Sequence, residues 1–260
     1  MSITYSSYLR LDELLDIQSP VSGGRDHDEM LFIVVHQVYE LWFKQILHEL
    51  DRLQLLFEDD DESRVRHTLK RVLTILKVLV AQLDILETMT PLEFLSFRDL
   101  LESGSGFQSY QFRGLEFALG QKRQSAVDHY PTGSTPRAWL QQRLERRSVW
   151  DAFIHFLARS GYAVPAEQLQ RDVREPVAPS PEIQAILIDI YRNDSRVQEI
   201  CERLIDLDEG VQEWRYRHIK MVERTIGMRR GTGGSAGAEY LRTTLTRQAF
   251  PDLWEIRTEL

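Results

Sequence analysis

The sequence has a single cysteine, Cys201, so a disulfide within the chain is excluded. Long apolar runs are also missing. The longest covers residues 30–35, well short of the roughly 20 residues that a membrane-spanning helix needs. The N-terminus lacks a basic region followed by an apolar one, which is the pattern of a secretory signal. We therefore expect a cytoplasmic protein that does not associate with membranes.

Basic residues are too few for a protein that binds the phosphate backbone of nucleic acids. The chain has 32 lysines and arginines against 40 aspartates and glutamates, a net charge of −8, whereas such a protein needs a positive surface. We expect no nucleic-acid partner. The 260 residues are 42% hydrophobic, enough for a substantial core. No long linker divides them, so residues 1–260 are expected to form one domain.

Apolar residues recur at helical spacing along nearly every long segment of the chain. This pattern predicts an all-α fold, a bundle with several long helices. The first long helix is expected from about residue 27 to about residue 57, opened by a capping box between Asp26 and Glu29. The last is expected from about 195 to about 226. The polar stretch 121–135 is expected to be an exposed loop.

Two further helix starts are marked by a hydroxyl residue directly before a proline. In Thr90-Pro91-Leu92-Glu93 the threonine is the expected N-cap, the proline is the first helical residue, and the glutamate completes a capping box. Ser180-Pro181 carries the same signal. Both positions are therefore predicted to begin helices.

Two histidines lie on the apolar faces of long helices. At about 100° per residue, His36 falls on the same face as Phe32. By the same spacing, His218 falls on the face that carries Trp214. Either histidine alone is more often a core residue hydrogen-bonded to a carbonyl or carboxylate than a ligand. The pair keeps both interpretations open.

The remaining histidines show no close ligand spacing; they are His27, His48, His67, His129 and His155. A zinc site made by protein side chains is therefore poorly supported. A haem differs, because the porphyrin supplies four ligands and the protein need add only one. A buried His218 would be sufficient.

Three other features have two interpretations each. Residues 231–236 fit the pattern G-x-G-x-x-G/A but follow a helix where a dinucleotide-binding fold needs a strand, so they are either a flexible linker or a permissive loop beside a ligand. Arg98 is either paired with Asp99 or a clamp for a substrate carboxylate. Cys201 is more plausible as an inert buried thiol than as a ligand.

Several ordered segments together resemble the tryptophan 2,3-dioxygenases, and the resemblance runs along essentially the whole chain. The segments are TYSSYLRL (4–11), HDEMLF (27–32), HQVYELWFK (36–44), FRD (97–99), SGFQS (105–109), WRYRH (214–218) and GTGGSAG (231–237). The resemblance implies an all-helical homotetramer with a haem pocket. It further implies haem b, ferrous in the active form, and oxidative cleavage of the indole pyrrole ring of L-tryptophan by O₂. The product would be N-formylkynurenine, in the first step of tryptophan catabolism by the kynurenine route.

The resemblance also assigns residues to the haem. His218 would be the proximal ligand of the iron, and His36 the distal histidine beside the indole N–H. Ser105 and Gly106 would border the edge of the haem.

Other residues would bind the substrate by the same resemblance. Phe32 and Phe94 would form the walls around the indole, although some relatives have tyrosine in place of Phe94. Arg98 would pair with the substrate carboxylate, and Thr232 would hold both the ammonium and the carboxylate. Ala236 replaces the usual second serine of the glycine loop.

The N-terminal segment, residues 1–20, would contact a neighbouring subunit by the same resemblance. Tyr5 and Tyr8 would reach into that subunit's pocket. Two alternatives to the dioxygenase remain: a haem monooxygenase of the same superfamily that acts on a substituted tryptophan or indole, and a helical interaction module whose histidines are only structural.

Overall fold

The structure, a computed structural model, describes residues 2–102, 104, 106–229 and 237–260. Within these ranges every regular element is a helix, which confirms the all-α prediction. The α-helices are α1 Tyr5–Leu9, α2 Leu11–Leu14, α3 Asp28–Glu58, α4 Glu62–Leu86, α5 Pro91–Arg98, α6 Tyr110–Ala118, α7 Gln124–Asp128, α8 Thr135–Glu145, α9 Val149–Arg159, α10 Ala166–Leu169, α11 Pro181–Asn193, α12 Ser195–Ile226, α13 Ala238–Arg242 and α14 Pro251–Glu255. Short 3₁₀ turns cover Asp99–Leu101, Gly106–Gln108 and Ile256–Thr258.

Three long helices, α3, α4 and α12, form the frame of the molecule. α4 packs against both α3 and α12, and all three bury a stripe of aliphatic side chains in one hydrophobic cluster. Leu50, Leu69 and Leu204, one from each helix, have no exposed surface. Burying such a side chain contributes about 1.5–3 kcal/mol. The frame is therefore held mainly by apolar contacts, which fix the spacing of the helices but give little direction.

Most helix starts follow their local sequence. Thr90 caps α5 in a capping box with Glu93, and Ser180 caps α11, as predicted. The bounds of α12 agree with the predicted 195–226. The capping box predicted between Asp26 and Glu29 is wrong.

At that position α3 begins at Asp28 without a side-chain cap. The carboxylate of Glu29 instead accepts hydrogen bonds from the backbone N–H groups of Val21 and Ser22, at 2.7 and 3.0 Å. The preceding loop folds back over the buried Glu29 side chain, which makes this contact more favourable than local capping. Glu29 therefore anchors the N-terminal segment to α3.

The prediction of an exposed loop over 121–135 is also wrong. The segment contains α7, and Ala126, Val127 and Tyr130 are buried. They form a second apolar cluster with Phe117 of α6 and residues of α8. Because so few apolar residues stand among so many polar ones, the segment shows no helical periodicity of useful length.

None of the helices in the described part of the chain combines the length and the apolar character needed to cross a bilayer.

Candidate active site

A wide cleft opens between α3, α5, α6 and α12, and it encloses about 1590 Å³ of space, counting its open mouth. Its surface is mostly apolar and aromatic. The structure brings together on this cleft six residues that the sequence singled out: Phe32, His36, Phe94, Arg98, Gly106 and His218. They come from segments separated by more than half of the chain, so only the tertiary fold makes them neighbours.

His36 lies on α3 with one ring nitrogen already committed. Its Nδ1 is 2.7 Å from the carbonyl oxygen of Phe32, so the proton is placed on Nδ1, which donates, and Nε2 is left as an acceptor. Burial among apolar atoms lowers the pKa of His36, partly opposed by this hydrogen bond. The side chain is half-buried because it borders the cleft. His36 is therefore a neutral imidazole that can accept a hydrogen bond from a ligand N–H.

His218 lies on α12 and differs from His36. Its ring stacks on the indole of Trp214, with centroids 5.1 Å apart and an angle of 6° between the planes. Its nitrogens make no hydrogen bond to any described residue. Burial lowers the pKa of His218 to about 4, with smaller contributions from His36 and Arg113. A neutral imidazole with uncommitted nitrogens is the form that binds a metal.

Three phenylalanines form a wall next to His36. Phe32 of α3 has ring centroids 4.1 Å from His36 and 5.6 Å from both Phe94 and Phe97 of α5. Phe97 is fully buried and supports the other two rings. Such a wall offers flat apolar surface to an aromatic ligand, while the neighbouring imidazole supplies one polar contact.

Arg98 ends α5 at the edge of this wall. Its side chain is 19% exposed and lines the cleft, whereas that of Asp99 is 94% exposed and 3.7 Å away. An ion pair of that length with a solvated carboxylate contributes little. The guanidinium is thus placed where it can contact an anionic group in the cleft.

Two of the predicted residues that the structure describes are not brought to the cleft. Tyr5 and Tyr8 lie on α1, 77% and 75% exposed, and do not line it. Ser105 and Thr232 lie outside the described residues.

Next to Ser105, both Gly104 and Gly106 line the cleft. A Cβ atom at Gly104 would be 2.9 Å from the carbonyl oxygen of Leu101. The tight turn at this edge of the cleft therefore requires glycine at 104.

Sequence reasoning missed a charged cluster at the α6–α12 side of the cleft. Glu116 of α6 is buried and accepts hydrogen bonds from Arg113 and Arg123, both at 2.7 Å, and from Arg215 of α12 at 3.0 Å. We call these four residues the Glu116 cluster. The arginines hold the pKa of Glu116 below its usual value, against the opposing effect of burial. One signal could have revealed it: Arg113 and Glu116 stand three residues apart on an otherwise apolar helix.

Trp214 lines the cleft beside His218. Its indole also packs edge-on against the ring of Tyr39, with centroids 6.2 Å apart. Burial raises the pKa of the Tyr39 hydroxyl, and interaction with Trp214 partly opposes that rise. The buried indole N–H therefore has a polar neighbour within the protein.

Two other observations concern metals. Cys201 is fully buried away from the cleft lining, and burial raises the pKa of its thiol, which fits the inert interpretation. In the described ranges, no three His, Cys, Asp or Glu side chains are grouped so as to hold a metal ion. His218 could serve a metal only if a cofactor brought the other ligands.

Known proteins are similar to this chain over its length. A sequence profile described as tryptophan 2,3-dioxygenase matches residues 1–136 and 181–260. A tryptophan 2,3-dioxygenase of Herpetosiphon aurantiacus is 58% identical over 100% of this chain and 99% of its own length. The enzyme of that name from Caulobacter vibrioides is 46% identical over 99% of this chain and 98% of its own. The chain belongs to the tryptophan 2,3-dioxygenase family.

Proposed function

We propose that this protein is a haem-dependent dioxygenase that opens the pyrrole ring of L-tryptophan with O₂ to give N-formylkynurenine, the first step of the kynurenine route. Its relatives carry the name tryptophan 2,3-dioxygenase. One observation carries the proposal. A neutral histidine without a hydrogen bond, a second neutral histidine, an aromatic wall and an arginine all line the same cleft. Each of these features matches one part of the reaction.

The cleft residues fit a haem b group with ferrous iron in the active form. His218 would hold the iron, because its imidazole is neutral and makes no hydrogen bond to a described residue. It lies on α12, a helix of 32 residues that is packed into the frame of the molecule. The mostly apolar and aromatic lining of the cleft suits the porphyrin. Ser105 and Gly106 would border its edge. When bound, the haem supplies the iron at which O₂ becomes reactive toward the indole C2–C3 bond.

The residues of α3 and α5 would bind and orient the substrate. The Nε2 atom of His36 would accept a hydrogen bond from the indole N–H, which fixes the rotation of the ring; His36 need not remove that proton. Phe32 and Phe94 would form one wall against the flat indole and exclude water from it. A ring fixed in this way presents the same bond for cleavage each time.

The amino-acid part of tryptophan would be recognised by charge. Arg98 would form a charge-assisted hydrogen bond with the carboxylate, and Thr232 would hold the ammonium and the carboxylate. An indole without these groups would leave buried polar atoms unpaired, which disfavours its binding. The enzyme would thus select the amino acid over free indole.

We also propose a homotetramer in which residues 1–20 of one subunit contact the next. Support comes from the strong exposure of the apolar residues in this segment, Ile3, Tyr5, Tyr8 and Leu15. Two contacts hold the end of this segment to α3: the Val21 N–H donates to Glu29, and the Gln18 side chain donates to Gln37. Residues 1–260 would form one domain, and Tyr5 and Tyr8 would reach into the neighbouring subunit's pocket, so that catalysis would depend on assembly.

The proposal is tested by absorption spectroscopy of the purified protein, followed by anaerobic reduction and the addition of L-tryptophan and air. We expect a haem band and, with ¹⁸O₂, a product that has gained two labelled oxygen atoms. A gain of one atom would indicate a monooxygenase. A colourless protein that does not take up added haem would refute the proposal.

A further inference from the structure

The Glu116 cluster fastens the helix that carries His218 to the rest of the molecule. Arg215 stands three residues before His218, so it lies about one turn earlier on α12. Its side chain is buried and lines the cleft. The proposed function has no role for this buried charge, although burying a guanidinium costs several kcal/mol unless its partners are well placed.

Arg215 connects α12 to three separate parts of the chain. One guanidinium nitrogen donates to Glu116 of α6 at 3.0 Å and to the side chain of Gln121 at 2.6 Å. The other donates to the backbone carbonyls of Thr244 and Arg247, at 3.2 and 3.3 Å. A single side chain therefore joins α12 to α6, to the turn that follows it, and to the segment before α14.

These bonds supply direction that the apolar frame lacks. The buried contacts of α12 with α4 are largely between aliphatic side chains, and apolar contacts are non-directional. The ion pairs between these two helices, such as that of Arg217 with Asp84, lie toward solvent, where they constrain the helix less than buried bonds do. Hydrogen bonds from a planar guanidinium to four acceptors require one orientation. A rotation of α12 by about 10° would move a side chain about 5–6 Å from the helix axis by about 1 Å. The ring of His218 would move with it.

Glu116 also fixes the position of Arg113, a second charged residue that lines the cleft. Its other carboxylate oxygen accepts from Arg113, whose guanidinium lies 5.3 Å from the ring of Phe112 and borders the cleft. The same carboxylate thus holds α12 in place and fixes a cation at the cleft surface. Removing it would change two features of the cleft at once.

We propose that Arg215 and Glu116 are positioning residues for the haem, which set the rotation of α12 and with it the direction in which His218 meets the iron. This inference rests on the proposed function, in which His218 would hold the iron. The proposed function gives neither residue a contact with the reacting atoms. Their effect is transmitted through the helix and through Arg113.

Two conservative substitutions test the pair. Arg215→Lys keeps a positive charge but cannot make the four directed bonds, and Glu116→Gln keeps the shape but loses the charge. The probe is haem itself. We expect haem to leave each variant for an excess of haem-free globin about tenfold faster than it leaves the wild type. Loss of a group that orients a metal ligand typically weakens metal binding by a factor of this size. We also expect the iron–histidine stretching band of the ferrous protein to shift or broaden.

Arg143→Lys is the matched control for lost stability. Arg143 makes a bidentate pair with Asp51, both bonds at 2.7 Å, is 12% exposed, and lies outside the cleft lining. Its replacement also removes a directed, largely buried ion pair. We expect it to lower the melting temperature while leaving haem transfer and the iron–histidine band unchanged.

The outcomes separate the inference from the proposed function. If the wild type binds no haem, or His218→Ala keeps the iron–histidine band, the proposed function fails. If those results are as expected but Arg215→Lys and Glu116→Gln leave the band and the transfer rate unchanged, the inference is overturned. The inference is also overturned if Arg143→Lys changes the band and the transfer rate as much as the cluster variants do. It is overturned as well if Arg215→Lys and Glu116→Gln lose their helicity by circular dichroism, because the pair would then serve folding alone.

Discussion

The two walls of the cleft hold their histidines in opposite ways. On the α3–α5 wall, His36 is tied to a backbone carbonyl and surrounded by phenylalanines. On the α12 wall, His218 is stacked on an indole and has no hydrogen bond to the described residues. Both rings are neutral because burial lowers the pKa of each.

This difference separates two chemical roles within one cleft. A tied imidazole has a fixed tautomer and one acceptor, which suits the recognition of an N–H group. An untied imidazole at the surface of an apolar cleft keeps its nitrogens available, which suits a ligand to an external group. The proposed function places the cofactor at the α12 wall and the substrate at the α3–α5 wall, so changes on the two walls should have separable effects.

The largest effect is expected from His218→Ala. Loss of the one side chain proposed to hold the iron should reduce haem affinity by about 100-fold or more, since that bond attaches the iron to the protein. The measurement is haem titration followed by absorption, with helicity checked by circular dichroism. His155→Ala is the control, because His155 is also half-buried but lies on α9 outside the cleft lining. Equal haem affinity in both variants would remove the distinction between the two walls.

Arg98→Leu should have the next largest effect, on the other wall. A charge-assisted hydrogen bond contributes about 1.5–3 kcal/mol, so KM for L-tryptophan should rise about 10- to 100-fold while haem content stays at the wild-type level. Steady-state kinetics and the absorption ratio of haem to protein measure the two quantities. Arg98→Lys keeps the charge, so its KM for L-tryptophan should lie between those of the wild type and of Arg98→Leu. Unchanged kinetics with tryptophan would refute the assignment of Arg98 to the carboxylate.

His36→Ala should have a smaller effect than Arg98→Leu. It removes one hydrogen bond between neutral groups, worth about 0.5–1.5 kcal/mol, so kcat/KM should fall about two- to tenfold with haem retained. His48→Ala on the exposed side of the same helix is the control. If the His36 variant loses haem instead, the tied histidine would belong to the cofactor wall after all.

The sequence predicted the framework of both walls. The bounds of α12 follow from local signals, because Asp194 accepts hydrogen bonds from the first N–H groups and Gly227, with φ of 61°, ends the helix. The apolar periodicity predicted that His36 and His218 lie on the interior faces of their helices. Both line the cleft, which is on the same side of each helix as its apolar stripe.

The sequence did not predict what each imidazole contacts or where the charges meet. A free and a tied histidine have the same helical spacing, and only the packed structure distinguishes them. Glu116 and Arg215 are 99 residues apart, so no local pattern links them. The short helix α7 was missed because its burial depends on α6 and α8.

Phe94→Tyr should have the smallest effect and the most specific one. The ring keeps its size and its contacts with Phe32 and Phe97, so the apolar wall is preserved and both kcat and KM should change by less than about threefold, as expected for less than about 0.7 kcal/mol. Phe94→Ala is the counterpart that opens the wall, and burial of an aromatic ring is worth enough that KM should then rise about tenfold or more. If the tyrosine variant were as impaired as the alanine variant, the hydroxyl would be in conflict with a bound indole, and Phe94 would act by excluding polar groups rather than by providing a flat surface.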